Sequence, residues 1–254
     1  MDIAINSDQW RSMLVAETEK MGISLSPDQA ERLCLHAYEV IAANLKFNLT
    51  SITDPVDVMV KHVIDSAVAV RYIEKEDARI IDVGSGGGFP GIPIKIIMPE
   101  IDISLVDSSR KKVNFLNYIL RKLGLSFAQA VQARAEEMPA AVGSGQGFDI
   151  AISRAFTSLR GMVEVVLPLI KPSGMIIAMK GSSVNAEIDE LMASSIAVGD
   201  HKSMASDLLQ LELYHYKLPV LDLLRSVVLV RFKHSRPRAA RMQSFDSRTA
   251  AKDS

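Results

Sequence analysis

The stretch Asp82-Val83-Gly84-Ser85-Gly86-Gly87-Gly88-Phe89-Pro90-Gly91 is where residue type and spacing most plainly imply chemistry. Glycines let a chain turn sharply and bring backbone N–H groups against a ligand. Five of the eight residues from Gly84 to Gly91 are glycine, more than an ordinary turn needs. Gly86, Gly88 and Gly91 satisfy the dinucleotide spacing G-x-G-x-x-G, but four of those six residues are glycine, so the match is weak. Counted from Gly84, the same pattern fails at Phe89. Acid-x-Gly-x-Gly-x-Gly, from Asp82 to Gly88, describes the segment better. A carboxylate at that point repels a pyrophosphate and suits an ammonium. S-adenosylmethionine (AdoMet) has no phosphate, and the ammonium of its amino acid end can be held by Asp82 directly or through water. Asp107, ending the next apolar run, suits the ribose hydroxyls of either cofactor and does not discriminate. A nicotinamide dinucleotide stays open as the alternative ligand.

These residues need a scaffold that brings them to one edge. Arg79-Ile80-Ile81-Asp82-Val83 is a short apolar run stopped by glycines, which suggests a buried strand. Further strands are expected over 103–107, 126–132, 148–153 and 175–180, with two more near 208–218 and 226–232. Helices are expected over 90–98, 111–123 (ended by Gly124) and 159–170. Strands alternating with helices imply right-handed crossovers and a mainly parallel sheet. Its ligand belongs beyond the carboxyl ends of the strands. Asp82, Asp107, Arg134, Arg154 and Lys180 all fall at or just past those ends. Upstream, Ser26-Pro27-Asp28-Gln29 and Asp54-Pro55 are helix-start signals, each followed by an apolar stripe. These helices must cap a larger core.

Composition narrows the function classes. The chain has 254 residues, 29 Lys+Arg, 30 Asp+Glu and a 48% hydrophobic fraction, which excludes a disordered or fibrous protein. One cysteine, Cys34, forms no internal disulfide and suits a reducing compartment. No apolar run reaches the ~18 residues of a membrane span, and the first twenty residues lack the apolar core of a secretory signal. Residues 231–254 carry a net charge of +5, a tail able to bind nucleic acid or simply to be solvated. His62, Asp65 and Ser66 hold the letters of a hydrolase triad. On one helix, however, the Ser lacks a strained elbow and oxyanion donors, so bracing is the better role for His62. No Cys/His spacing suggests a metal.

Several strings together resemble one family. They are Asn48-Leu49-Thr50-Ser51, His62-Val63-Ile64-Asp65-Ser66, Asp82 through Pro93, Val106-Asp107-Ser108 with Lys111-Lys112 and Phe115-Leu116, Ile152-Ser153-Arg154-Ala155-Phe156, and Lys180-Gly181. In order and spacing they resemble the bacterial small-subunit ribosomal RNA methyltransferase G family, also called glucose-inhibited division protein B, over residues 20–232. The resemblance implies a class I AdoMet-dependent methyltransferase fold: a Rossmann-like α/β domain, with a mainly parallel seven-stranded sheet flanked by helices, under an N-terminal helical cap. The division expected is 1–75 for the cap, 76–233 for the AdoMet-binding domain and 234–254 for the basic tail. Lys95 departs from the pattern, where an apolar residue is more usual, and is expected on an exposed helix face.

The resemblance further implies a cytoplasmic enzyme that methylates N7 of a guanine in the 530 loop of 16S rRNA, conventionally guanine 527, as naked RNA or in the 30S subunit. Its AdoMet contacts would be Gly84, Phe89, Ala135, Glu136 and Arg154, joined by Asp82, Gly86 and Asp107. Guanine N7 carries a lone pair and no proton at neutral pH, so no general base is needed. Catalysis then rests on holding N7, methyl carbon and sulfur in line, worth up to ~7–11 kcal/mol. A donor on N7 itself would block attack, so basic groups belong on O6 or on phosphates. Arg154 and Arg134 are the first candidates for substrate positioning. Asn48, Lys180 and Arg225 are the candidates for RNA contact. A monomer without a metal is expected. An NAD(P)-dependent oxidoreductase and a non-enzymatic RNA-binding module remain the competing readings.

Overall fold

The computed structural model describes residues 3–134, 137, 147–154, 156, 158–198 and 201–233. The expected strands all form: β1 (Arg79–Val83), β2 (Asp102–Asp107), β3 (Ala128–Gln132), β4 (Phe148–Ser153) and β5 (Ile170–Lys180). The chain then adds a ribbon, β6 (Ser195–Val198) and β7 (His201–Met204), and a long hairpin, β8 (Leu209–Leu218) and β9 (Leu223–Phe232). The seven-stranded sheet has the order β3-β2-β1-β4-β5-β9-β8. Strands β1 to β5 pair in parallel, while β9 runs antiparallel to both β5 and β8. From β1 the chain winds outward one way to β3 and the other way to β5. The β1/β4 boundary is therefore the switch point where such sheets hold ligands.

Alternate residues of each strand serve opposite faces. Ile80, Ile103, Ile152 and Ile177 enter one core; Ile81, Val106, Ala151 and Ile176 enter the other. The first face is covered by α1 (Asp8–Lys20), α2 (Pro27–Asn44), the helical run from residue 55 to 72, α5 (Gly91–Ile97) and α6 (Arg110–Lys122). The second is covered by α7 (Leu159–Val166), α8 (Asn185–Met192) and α9 (Ala205–Leu208). Burying each large aliphatic side chain contributes about 1.5–3 kcal/mol. Trp10, fully buried, ties α1 to the next helical run by donating from Nε1 to Pro55 O at 3.0 Å.

Both start signals work as expected. Ser26 and Gln29 form a reciprocal capping box, and Asp54 Oδ1 accepts from the Val56 and Asp57 amides. The run that follows Asp54 is not one regular helix. Its α3 (Pro55–Val58) and α4 (Asp65–Val68) flank a π-helical turn, Met59–Ile64, and a 3₁₀ turn, Ala69–Tyr72, ends it. Such a turn frees carbonyls from the i−4 ladder, and it often marks a functional site.

Three sequence expectations change. Strand β5 begins at Ile170, not Met175, because its first residues continue pairing with Phe148 across a register shift. The 159–170 helix is α only to Val166 and closes with a 3₁₀ turn around Pro168. Lys95 is buried, not exposed. It lies on the packed side of α5, and its Nζ donates to Pro99 O (2.6 Å) and Ile101 O (2.5 Å), with the Phe127 ring 5.6 Å away. The long stem spans apolar surface while the cation answers carbonyls just past the helix end. The tail, 234–254, lies outside the described residues.

Candidate functional site

At the end of β1 the chain reverses over the neighbouring strand. The Gly84 and Ser85 amides both donate to Val106 O, at 2.8 and 3.0 Å. Gly84, Gly86 and Gly88 take φ of +77°, +56° and +94°, in the region that only glycine enters without strain. The glycines then divide into two kinds. A Cβ on Gly84 would meet nothing within 4 Å, and one on Gly86 only Gly84 O at 3.9 Å. A Cβ on Gly91 would lie 2.4 Å from Leu105 Cδ2 and 2.6 Å from Asp82 Oδ2. The first pair leaves bare backbone under open space; Gly91 lets helix α5 press onto the sheet.

Asp107 reaches over this loop from β2. Its Oδ2 accepts from the Gly86 amide (3.0 Å) and its Oδ1 from the Ser109 amide (2.8 Å). Asp82 sits beneath the loop and not facing the crevice. It is fully buried, and its Oδ2 accepts from the Gly91 amide at 3.0 Å. Burial pushes its carboxyl up to about 7, against the pull of the neighbouring hydrogen bonds. Through Oδ2, Asp82 holds the first turn of α5 and so the shape of the loop. It also occupies an amide that a dinucleotide phosphate would use.

Phe89 is clasped between two imidazoles, His36 at 4.6 Å and His62 at 4.7 Å between ring centroids. The Arg154 guanidinium stands 5.3 Å over the same ring. His36 Nε2 lies 2.8 Å from Gly87 O, and a carbonyl only accepts, so Nε2 carries the proton. Arg154 Nη2 lies 2.8 Å from His62 Nδ1, and an arginine only donates, so His62 Nε2 carries its proton and donates to Thr50 Oγ1 at 2.8 Å. Burial pushes His36 down to about 4, while burial and then the Arg154 cation push His62 down to about 3. Both rings are neutral. The π turn supplies the rest of the Arg154 cradle: Nη1 donates to Lys61 O (2.8 Å) and His62 O (3.3 Å).

Beside this loop, past the ends of β4 and β5, opens a cleft of about 230 Å³. Lys61, Arg154, Lys180 and Arg225 line it with one carboxylate, Asp65, between apolar walls from Ile52 and Met179. The structure thus brings together three of the predicted residues, Arg154, Lys180 and Arg225. Lys180 Nζ is engaged by Glu187 Oε2 at 2.8 Å. Arg134 is exposed past β3 and outside the residues lining the cleft. Asn48 is exposed; the turn it belongs to is braced by Asn44, whose Oδ1 accepts from the Leu49 and Thr50 amides. Ala135 and Glu136 lie outside the described residues. Arg154 pairs with Asp65 (3.6 Å), not with Asp107. Ser66 donates to its own helix at His62 O, which disposes of the hydrolase triad. Sequence reasoning missed His36 and Tyr216, and read Asp65 only as a triad letter and as part of a family string, with no role of its own. The run His62-Val63-Ile64-Asp65 could not reveal the role of Asp65 without knowing which strand faces it.

The fold and the glycine loop define a class I AdoMet-dependent methyltransferase. Two solved structures share the fold: the O-methyltransferase TomG from Streptomyces achromogenes in complex with SAM, with TM-score 0.52 and 13% identity, covering 90% of this chain and 99% of that one, and TrmN from Thermus thermophilus, with TM-score 0.50 and 13% identity, covering 66% and 48%. A family model described as rRNA small subunit methyltransferase G (GidB) matches residues 29–211. The ribosomal RNA small subunit methyltransferase G of Bacillus thuringiensis (strain Al Hakam) is 36% identical over 236 residues, 92% of this chain and 93% of that protein. The same enzyme from Bacillus cereus (strain AH820) gives the same values. The chain belongs to the rRNA small subunit methyltransferase G family.

Proposed function

We propose that this chain carries out its family's reaction, AdoMet-dependent methylation of guanine N7 in 16S rRNA, with the cofactor over Gly84 and Gly86 and the RNA at the neighbouring cationic cleft. The open space above those two glycines, edged by Asp107 and joined to the cleft through Arg154, is the observation that carries the reading. The residues fit AdoMet by their chemistry. Bare amide backbone admits close approach, Asp107 offers a carboxylate for ribose hydroxyls, and Asp82 already fills the α5 amide that a phosphate would need. When bound, AdoMet supplies an electrophilic methyl on a sulfonium. The protein's task is then to orient and to exclude water. Phe89, fixed between two neutral imidazoles, forms an apolar wall at the cofactor side. Arg154, held by main-chain carbonyls and His62, keeps its charge beside that wall, and with Arg225 it offers cationic donors for O6 or a phosphate while leaving N7 bare. No proton has to be removed, which agrees with two histidines that are neutral. Among the described residues no group of three or more His, Cys, Asp or Glu is placed to hold a metal. No described helix is long and apolar enough to cross a membrane, and a cytoplasmic monomer suits an enzyme of this substrate.

The test is transfer of labelled methyl from AdoMet to under-methylated 16S rRNA or 30S subunits by the purified chain. Label mapping to guanine N7 in the 530 loop is expected. No transfer to either substrate, beside an active control enzyme, sinks the reading.

A further inference from the structure

Among the described residues, Arg225 Nε is a donor at the cleft that the fold leaves uncommitted, and one residue is placed to keep it so. Tyr216 and Arg225 are cross-strand partners in the β8–β9 hairpin, and both reach Asp65 on the helical run across the cleft. Tyr216 donates from its hydroxyl to Asp65 Oδ1 at 2.7 Å. Arg225 Nε lies 4.0 Å from the same oxygen, too far for a hydrogen bond. It is buried and, among the described residues, has no hydrogen-bond partner. Arg154 faces the other oxygen, Oδ2, at 3.6 Å. The Asp65 side chain is only 4% exposed, so its oxygens answer to these groups and hardly to water.

A buried carboxylate facing two guanidinium groups ordinarily draws both into short, charge-assisted bonds. Here the phenol takes the position on Oδ1 that Arg225 would otherwise occupy. Arg225 keeps the electrostatic pull of Asp65, which fixes where it stands, but its Nε–H stays open. Leaving such a donor unmade costs stability; what the arrangement keeps is a guanidinium that lines the cleft without closing onto Asp65.

We propose that Tyr216 is a positioning residue for the RNA: by holding Asp65 Oδ1, it keeps Arg225 from closing onto that carboxylate, so that the guanidinium lining the cleft stays presented to an acceptor oxygen of the substrate, O6 of the target guanine or a backbone phosphate. The inference rests on the cleft being the RNA side. Tyr216→Phe lets Arg225 close onto Asp65 as a full ion pair. The KM for 16S rRNA then rises about tenfold, the worth of a hydrogen bond to a charged group, while kcat and AdoMet affinity hold and the melting temperature is unchanged or higher. A purely structural tyrosine would lower the melting temperature and leave KM alone.

Arg225→Ala must raise KM by a similar factor, and Tyr216→Phe combined with Arg225→Ala must be no worse than Arg225→Ala alone, because both remove one contact. Penalties that multiply in the double variant overturn the proposal. So does a normal KM in Tyr216→Phe beside a raised one in Arg225→Ala. Should Arg225→Ala itself leave the RNA KM untouched, the cleft is not the RNA side and the placement beneath the proposal fails instead. The salt dependence separates the two acceptors: loss of a phosphate contact flattens the slope of log K against log salt by about one, and loss of a contact to O6 leaves it alone.

Discussion

The glycine loop and the cleft lie side by side, yet they solve opposite electrical problems. At the loop, charge is suppressed. Asp82 is buried with its carboxyl pushed to about 7, both histidines against Phe89 are neutral, and the space over Gly84 and Gly86 is floored by bare backbone, with the Asp107 carboxylate at its edge. At the cleft, charge is concentrated, with four cations around one carboxylate. The difference follows from topology. The loop belongs to the parallel strands β1 and β2, where main-chain geometry sets the shape. The cleft draws on the antiparallel hairpin β8–β9, whose side chains converge on Asp65 from another part of the chain. A cofactor that brings its own charge is met by a quiet surface, and a polyanion is met by a cationic one.

Arg154 serves both regions, standing over Phe89 and lining the cleft as the His62 it binds also does, and its loss gives the largest effect. Arg154→Ala removes the partner of Asp65 Oδ2 and the donor to His62 Nδ1 together. Stripping one partner from a buried pair costs about 3–5 kcal/mol. Thermal unfolding should show that loss, and methyl transfer should fall at least about a hundredfold through misplaced reactants, with both AdoMet and RNA binding weakened. Weakening of only one ligand would mean the two regions are not coupled through this side chain.

The loop's two kinds of glycine provide the next contrast. Gly91→Ala drives a methyl against Leu105 and Asp82, an overpacking that costs roughly 1–3 kcal/mol or more, and it destabilises the fold. Gly84→Ala meets no neighbour and costs about 1–2 kcal/mol through its positive φ, but the methyl stands where the cofactor is placed. Calorimetry with AdoMet and thermal melts together separate them: Gly84→Ala should lose more affinity than stability, Gly91→Ala the reverse. Equal behaviour would dissolve the distinction between ligand-facing and packing glycines.

How much of this was legible in the sequence follows from how local each feature is. The loop, the two helix caps and the ends of β1, β2 and β4 depend on residues within a few positions, and they could be read directly. Lys95 was misread because its burial depends on which side of α5 meets the sheet, and a charged residue in a short helix defaults to the surface. Asp65 and Tyr216 are 151 residues apart and meet only through the sheet order. No spacing rule reaches across that distance. The π turn was illegible for a related reason: its carbonyls are freed for Arg154, which arrives from β4. The β6–β7 ribbon lies in a segment without alternation strong enough to mark strands.

The quiet character of the loop can be tested by pH. The Asp82 carboxyl keeps its proton in the folded protein up to about 7, whereas the unfolded chain releases it near its ordinary 3.8. Between those values the folded state binds more protons, so this group's contribution to stability falls as pH rises. Asp82→Asn removes the titration. Relative to the parent, the variant should therefore gain stability steadily as pH rises from about 4 to about 7, read from urea midpoints. A difference that does not change with pH would place Asp82 in solvent contact and erase the electrical contrast between loop and cleft.

Within the cleft the cations are themselves unequal, and Lys180 marks the lower bound. Its Nζ is shared between Glu187 Oε2 and Phe156 O, and that same Glu187 oxygen accepts from the Leu159 amide at the start of α7. Its charge thus ties α7 and α8 to the end of β5, unlike Arg225, whose Nε has no partner among the described residues. Ion pairs of this partly exposed kind contribute up to about 1 kcal/mol. Lys180→Met, which keeps the stem against the cleft wall, should change the RNA KM by no more than about threefold and take that much from stability. A loss as large as that of Arg225→Ala would show that the cleft works by total positive charge and not by which donor is left free, and the role assigned to the hairpin would fall with it.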